Sequence, residues 1–200
     1  MTTPQAPRPR SSRPSPPHRR PGPALPRRPP HEQCARPLAE IFGCDVDVLP
    51  VSTGSAANAL SLAALTPPWG SVLCHRDSHI NTDEGGAPEF FTSGAKLVSL
   101  PGDDAKIGVE QLHAAANRKV GDVHSVQPSV VSITQATETG ALYNLAEIRS
   151  LGLVARTRAC APTWTGPASH AVAALGCTPA ELTWQAASTS FPSARPRTVP

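Results

Sequence analysis

The chain has 200 residues, enough for one domain with a tail; 39% are hydrophobic, only 4% are aromatic, and its 24 prolines are more than double ordinary usage. The formal net charge of +3 hides an asymmetry: residues 1–30 carry seven arginines, eleven prolines and no acid, while the remainder holds eleven basic against fifteen acidic residues. No stretch approaches the ~20 apolar residues of a membrane span, and the N-terminus has neither the apolar core of a secretory signal nor, with so much proline, the helix of a mitochondrial presequence.

Residues 1–31 are expected to be a disordered Pro/Arg-rich tail, since proline removes backbone donors and little apolar surface offsets the entropy of ordering. The body starts at residue 32. "CARPLAEIFG" predicts a short helix closing at Gly43, and "VDVLPV" (46–51) reads as a strand. Next comes "STGSAANALSLAAL", where Ser52 or Thr53 caps a helix of strong formers that stops at Pro67-Pro68. "SVLC" (71–74), "AKLVSL" (95–100) and "PSVVSI" (128–133) predict three further strands. Between the last two lies a helix, "GVEQLHAAANR" (108–118). After them "NLAEIRSLGLVAR" (144–156) places Leu145, Ile148, Leu151 and Val154 on one helical face. Strands alternating with helices imply an α/β domain with a mostly parallel sheet. From Arg158 to His170 the periodicity is lost, and from Ala171 it returns as an apolar run that packs as a helix.

Three segments have chemical potential. In "STGSAAN" a strand, a turn at Gly54 and a helix bring free backbone amides and the positive helix end to one point, where Ser55 adds a hydroxyl. Glycine lets an anion approach the backbone closely. Such turns more often bind nothing, and this one is neither a Walker loop nor a GxGxxG fingerprint. "CHRDSHINTDEGGAPEFF" (74–91) follows a strand and so lies at the carboxyl edge of the sheet, where open α/β sheets bind ligands. It holds His75, Asp77, His79, Asp83 and Glu84, in an order that matches no metal-ligand spacing, so no metal is expected; its bland reading is a polar surface loop. "SITQATETGALY" (132–143), with Gln135, Thr137 and Glu138, is by itself a strand end. The five cysteines, scattered and odd in number, read as free thiols of a reducing compartment, and a cytoplasmic location is expected.

The order of these segments, followed by "GGAPEFF", "AKLVSLPG" and "ALGCTPAELTW", resembles the low-specificity L-threonine aldolase and aromatic amino acid β-eliminating lyase family, over about residues 32–157 and 171–186. The resemblance implies a pyridoxal-phosphate-dependent transferase-like fold (fold type I), a three-layer α/β/α large domain spanning 32–186. It implies pyridoxal 5'-phosphate as cofactor and cleavage of threonine or another β-hydroxy amino acid to glycine and an aldehyde. Thr53, Gly54 and Ser55 would bind the phosphate, His79 would stack on the pyridine ring and serve as a catalytic residue, and Glu84 would act near the substrate. Intact relatives are expected to be dimers or tetramers.

Two family elements are missing. One is a strand ending His-Met/Val-Asp-Gly-Ala-Arg, whose Asp pairs with the pyridine nitrogen. The other is a Ser-Phe-Gly-Ala-Thr-Lys segment, whose lysine binds the cofactor covalently. Written in GC-rich codons and read one base out of register, His-Met-Asp-Gly-Ala gives Thr-Trp-Thr-Gly-Pro, the sequence of 163–167. The same displacement turns Gly-Val-Asp-Val into Ala-Ser-Thr-Ser (187–190) and Phe-Gly-Ala-Thr-Lys-Asn-Gly into Ser-Ala-Arg-Pro-Arg-Thr (193–198). The expectation is therefore a copy translated partly out of frame, with an irregular tail from 187 and without its last strands and small C-terminal domain. Thr165 stands for the Asp, Ala168 for an Arg that grips the substrate, and the only lysines are Lys96, Lys106 and Lys119. Cofactor binding would be non-covalent at best and catalysis defective. Two alternatives remain at this level. One is a different β-eliminating lyase of the same fold. The other is a non-catalytic protein whose basic arm binds nucleic acid or acidic partners, which the lack of aromatics among the arginines disfavours.

Overall fold

A computed structural model describes residues 30–166 and 168–188, so most of the expected Pro/Arg-rich tail (1–31) and of the irregular tail (187–200) lies outside the described residues. The helices are α1 (Pro30–Phe42), α2 (Gly54–Leu65), α3 (His79–Thr82), α4 (Ala87–Phe91), α5 (Val109–Asn117), α6 (Leu145–Thr157), α7 (Ala168–Leu175), α8 (Pro179–Leu182) and α9 (Trp184–Ser188). The strands are β1 (Gly70–His75), β2 (Lys96–Leu100), β3 (Gln127–Thr134) and β4 (Ala161–Thr165). They form one parallel sheet in the order β2-β1-β3-β4. The architecture is an α/β one, a parallel sheet with helices packed on both faces, as the alternation of strands and helices in the sequence implies.

Every residue of β1 is buried, as expected for an inner strand covered on both faces. Alternate side chains of the strands serve opposite layers. Val72, Cys74 and Val130 pack with Leu62 of α2 and Ile80 of α3. Leu73, Val131 and Ile133 pack with Leu112 of α5 and with Ile148 and Leu151 of α6. Helix α6 follows its sequence pattern closely: Ile148, Leu151 and Val154 are buried, and a reciprocal Asn144–Glu147 capping box starts it. Trp184 of α9 donates its indole N–H to Phe42 O, 2.8 Å away, tying the last helix to the end of the first.

Two segments depart from the sequence reading. Residues 46–51 form no strand; Leu49 is 86% exposed and Val51 41%, so this apolar stretch finds neither a ladder partner nor a core. Conversely, residues 161–165, which lack any strand periodicity, form β4 through regular pairing with β3, from Val130↔Ala161 to Thr134↔Thr165. Backbone hydrogen bonds carry that strand, and its buried neighbour decides the conformation where propensity does not.

Candidate functional site

The connection from β1 to β2 runs through α3 and α4 on one face, and that from β2 to β3 through α5 on the other. The strand order therefore reverses between β1 and β3, and a crevice opens beyond their carboxyl ends. A cleft of about 730 Å³ lies there, lined by the start of α2 (Gly54, Ser55, Asn58), His79 of α3, and the ends of β3 and β4 with the residues after them.

The start of α2 is built for an anion. Thr53, extended at the N-cap, accepts a hydrogen bond from the Ala56 amide (3.1 Å). That leaves the amides of Gly54 and Ser55 without a partner among the described residues, at the positive end of the helix and on the cleft wall. A Cβ at Gly54 would meet no atom within 4 Å, so the backbone is open to a ligand on that side. Ser55 adds a hydroxyl to the same wall. Thr53 itself does not line the cleft; its work is to start the helix.

His79 begins α3. Its Nδ1 lies 3.5 Å from Asp83 Oδ2 and 4.0 Å from Glu138 Oε1, and its backbone N–H donates to the same Glu138 oxygen at 3.1 Å. Glu138 belongs to the loop after β3, which sequence reading treated as a strand end. The loop is held from below by Gln135, buried and paired twice with the Tyr143 backbone (3.0 and 2.9 Å), and by Thr137, whose hydroxyl donates to Asp104 O at 2.8 Å. Among the described residues, His79 and Glu138 are the titratable groups on the cleft wall, and no lysine or arginine joins them there.

Glu84 lies behind that wall. Its Oε1 accepts from Asn58 Nδ2 at 2.6 Å, and its Oε2 is buried without a hydrogen-bond partner among the described residues. The structure thus brings Gly54, Ser55 and His79 into one cavity, places Thr53 one step outside it, and connects Glu84 to it only through Asn58. His75 is a core histidine: it is 3% exposed, its Nδ1 accepts from the Asp77 amide, and its Nε2 faces Gly102 O at 3.2 Å.

The floor of the cleft is the end of β4. Thr165 donates to Thr134 Oγ1 at 3.3 Å across the strand pair. Gly166 has a φ of +100°, and a Cβ there would sit 2.6 Å from Gln135 O, so only glycine turns the chain out of the strand at this point. Of the lysines, Lys106 is held by both Glu147 oxygens at 3.2 Å, and neither it nor Lys96 or Lys119 reaches the cleft wall.

The sequence profile of the beta-eliminating lyase family matches residues 29–191. Low specificity L-threonine aldolases of Pseudomonas sp. (strain NCIMB 10558) and of Pseudomonas aeruginosa are each 38% identical over 148 residues, which is 74% of this chain and 42% of each relative. The chain thus spans less than half the length of the curated relatives it matches. The solved structure of Leishmania major threonine aldolase superimposes with a TM-score of 0.63 at 28% identity, covering 66% of this chain and 38% of that one.

Proposed function

Because the chain belongs to the beta-eliminating lyase family, we propose that residues 32–186 are part of a large domain whose cleft binds pyridoxal 5'-phosphate without a covalent bond to this chain. The observation that carries this is the shared cavity of the α2 start and His79. The unpaired amides of Gly54 and Ser55, with the Ser55 hydroxyl, suit a phosphate, and Thr53 keeps them in place by capping α2. The imidazole of His79, half exposed to the cleft, suits the face of an aromatic ring.

When bound, the cofactor supplies an electron sink for the pair released as an amino acid Cα–Cβ bond breaks. The substrate class that the 38% identity to the aldolases supports is a β-hydroxy amino acid such as threonine, with glycine and an aldehyde as products. We assign to His79, one of two titratable groups on the wall, the task of taking a proton from a β-hydroxyl. Glu84 contributes by fixing the Asn58 amide: with Nδ2 committed to the carboxylate, Asn58 has its Oδ1 left to accept from a ligand.

Turnover by this chain alone is proposed to be absent. Thr165, at the end of β4, has no charge with which to keep a pyridine nitrogen protonated, and none of Lys96, Lys106 and Lys119 reaches the cleft wall to anchor the cofactor. The test is to incubate the purified chain with pyridoxal phosphate and threonine, follow glycine release, and reduce a parallel sample with borohydride for mass spectrometry. The expected result is glycine release no faster than with the cofactor alone and no stoichiometric adduct on a single lysine. Rapid release together with one uniquely labelled lysine would overturn the reading.

A further inference from the structure

We propose that Glu138 is a positioning residue: its carboxylate, reaching from the loop after β3, fixes the start of α3 and thereby the imidazole of His79 against the cleft. This rests on the proposed cofactor site and gives a role in it to a residue that the sequence reading named without one.

Three observations converge. First, α3 lacks a cap of its own, because Ser78 stands at its N-cap without a side-chain hydrogen bond to the helix. An uncapped helix start leaves its first amides seeking acceptors. The acceptor used is Glu138 Oε1, 59 residues away in the chain and 3.1 Å from the His79 nitrogen. Second, the same oxygen lies 4.0 Å from His79 Nδ1, so one carboxylate addresses both the backbone and the ring of this residue. Third, the loop that bears Glu138 is not free to drift: Gln135 and Thr137, which precede the carboxylate, close the loop on the Tyr143 and Ala141 backbone that follows it, and Thr137 also donates to Asp104 O.

The consequence is mechanical and electrostatic. A hydrogen bond to an ionised acceptor is stronger than a neutral one, so Glu138 resists fraying at the first residue of a four-residue helix whose middle is held by Ile80 in the core. Asp83 Oδ2 lies 3.5 Å from the same Nδ1, so two carboxylates face this edge of the ring. Without Glu138 the His79 backbone is released while the α2 start, built from separate residues, is unaffected.

Two variants of the full chain separate the possibilities. Glu138→Gln keeps an oxygen that can accept from the His79 amide, whereas Glu138→Ala removes it. In the protein without added ligand, hydrogen exchange at the His79 amide is expected to accelerate about tenfold in Glu138→Ala and by less than about threefold in Glu138→Gln. Calorimetric titration then distinguishes positioning from general damage. Pyridoxal phosphate, which uses the ring contact, is expected to bind roughly five- to tenfold more weakly to Glu138→Ala, while inorganic phosphate binds as it does to the unaltered chain. Unchanged exchange at His79 in Glu138→Ala, or equal weakening of both ligands, would overturn the proposal. If the unaltered chain takes up no pyridoxal phosphate, the proposed function fails, and the exchange measurement still decides the role of Glu138.

Discussion

Ser55 and Gly54 share one wall of the cleft, yet they contribute differently. Gly54 offers an amide and an absence of side chain; Ser55 offers an amide and a hydroxyl. Replacing Ser55 by Ala should therefore weaken binding of pyridoxal phosphate and inorganic phosphate alike, each by about three- to tenfold, which calorimetry would show. His79 and its neighbours illustrate what single residues reveal before folding. The histidine was legible because it follows a buried strand into a polar loop, the place where such sheets bind ligands. The role of Glu138 was not, because its partner lies 59 positions upstream and no local pattern encodes that distance. Glu84 was read from the same loop as His79, but the turn at Gly85–Gly86 aims it at Asn58 instead of the open cleft. Away from the site, burial pushes the Cys74 thiol up to about 11 and the Tyr143 hydroxyl up to about 12. Both groups bind their protons more tightly when folded than when unfolded, so stability is full below pH 9 and falls as pH rises from there towards 12. Urea unfolding at pH 8 and at pH 11 should show a loss on the order of 1–3 kcal/mol per group, and equal midpoints would contradict it.

At the level of elements, most boundaries followed from ordinary signals. Thr53 capped α2, paired prolines ended it, and the apolar face of α6 was read correctly from its spacing. Removing the α2 cap with Thr53→Ala should cost about 1 kcal/mol in chemical denaturation and also weaken phosphate binding, because the amides it arranges are the binding groups. Residues 46–51 and β4 show where local signals fail. "VDVLPV" has the apolar content of a strand, but Pro50 lacks a donor and the segment pairs with no strand among the described residues, leaving Leu49 and Val51 exposed. "APTWT" has no alternation and two prolines nearby, yet β3 presents a free edge and the pairing forms. Gly166→Ala should be strongly destabilising at that strand end, since it combines an unfavourable backbone angle with a contact of 2.6 Å to Gln135 O. A melting temperature unchanged from the unaltered chain would contradict this geometry.

Over the whole molecule, the layered arrangement was readable because it depends on the succession of strands and helices, which survives the loss of individual motifs. The family profile matches residues 29–191, a span that includes the aperiodic stretch around Arg158 and the strand that replaces it. Of the side chains that strand presents, the sequence reading assigned a place at the site to Thr165 and none to Trp164. The structure answers with Trp164, Thr165 and Gly166 on the cleft wall, none of them charged. The out-of-frame reading of 163–167 makes its own prediction for the coding DNA: restoring one base upstream of the Arg158 codon should regenerate an Asp-Gly-Ala sequence there, and any other translation would refute it.

The central claim is that the start of α2 and His79 together form a pocket for a phosphorylated aromatic cofactor. Calorimetric titration of the purified chain with pyridoxal 5'-phosphate, repeated on Ser55→Ala and His79→Ala, tests it most directly. The account predicts one saturable site per chain, weakened several-fold by each substitution, with inorganic phosphate affected by the Ser55 change and not by the His79 change. Absence of saturable binding, or binding indifferent to both substitutions, would contradict it.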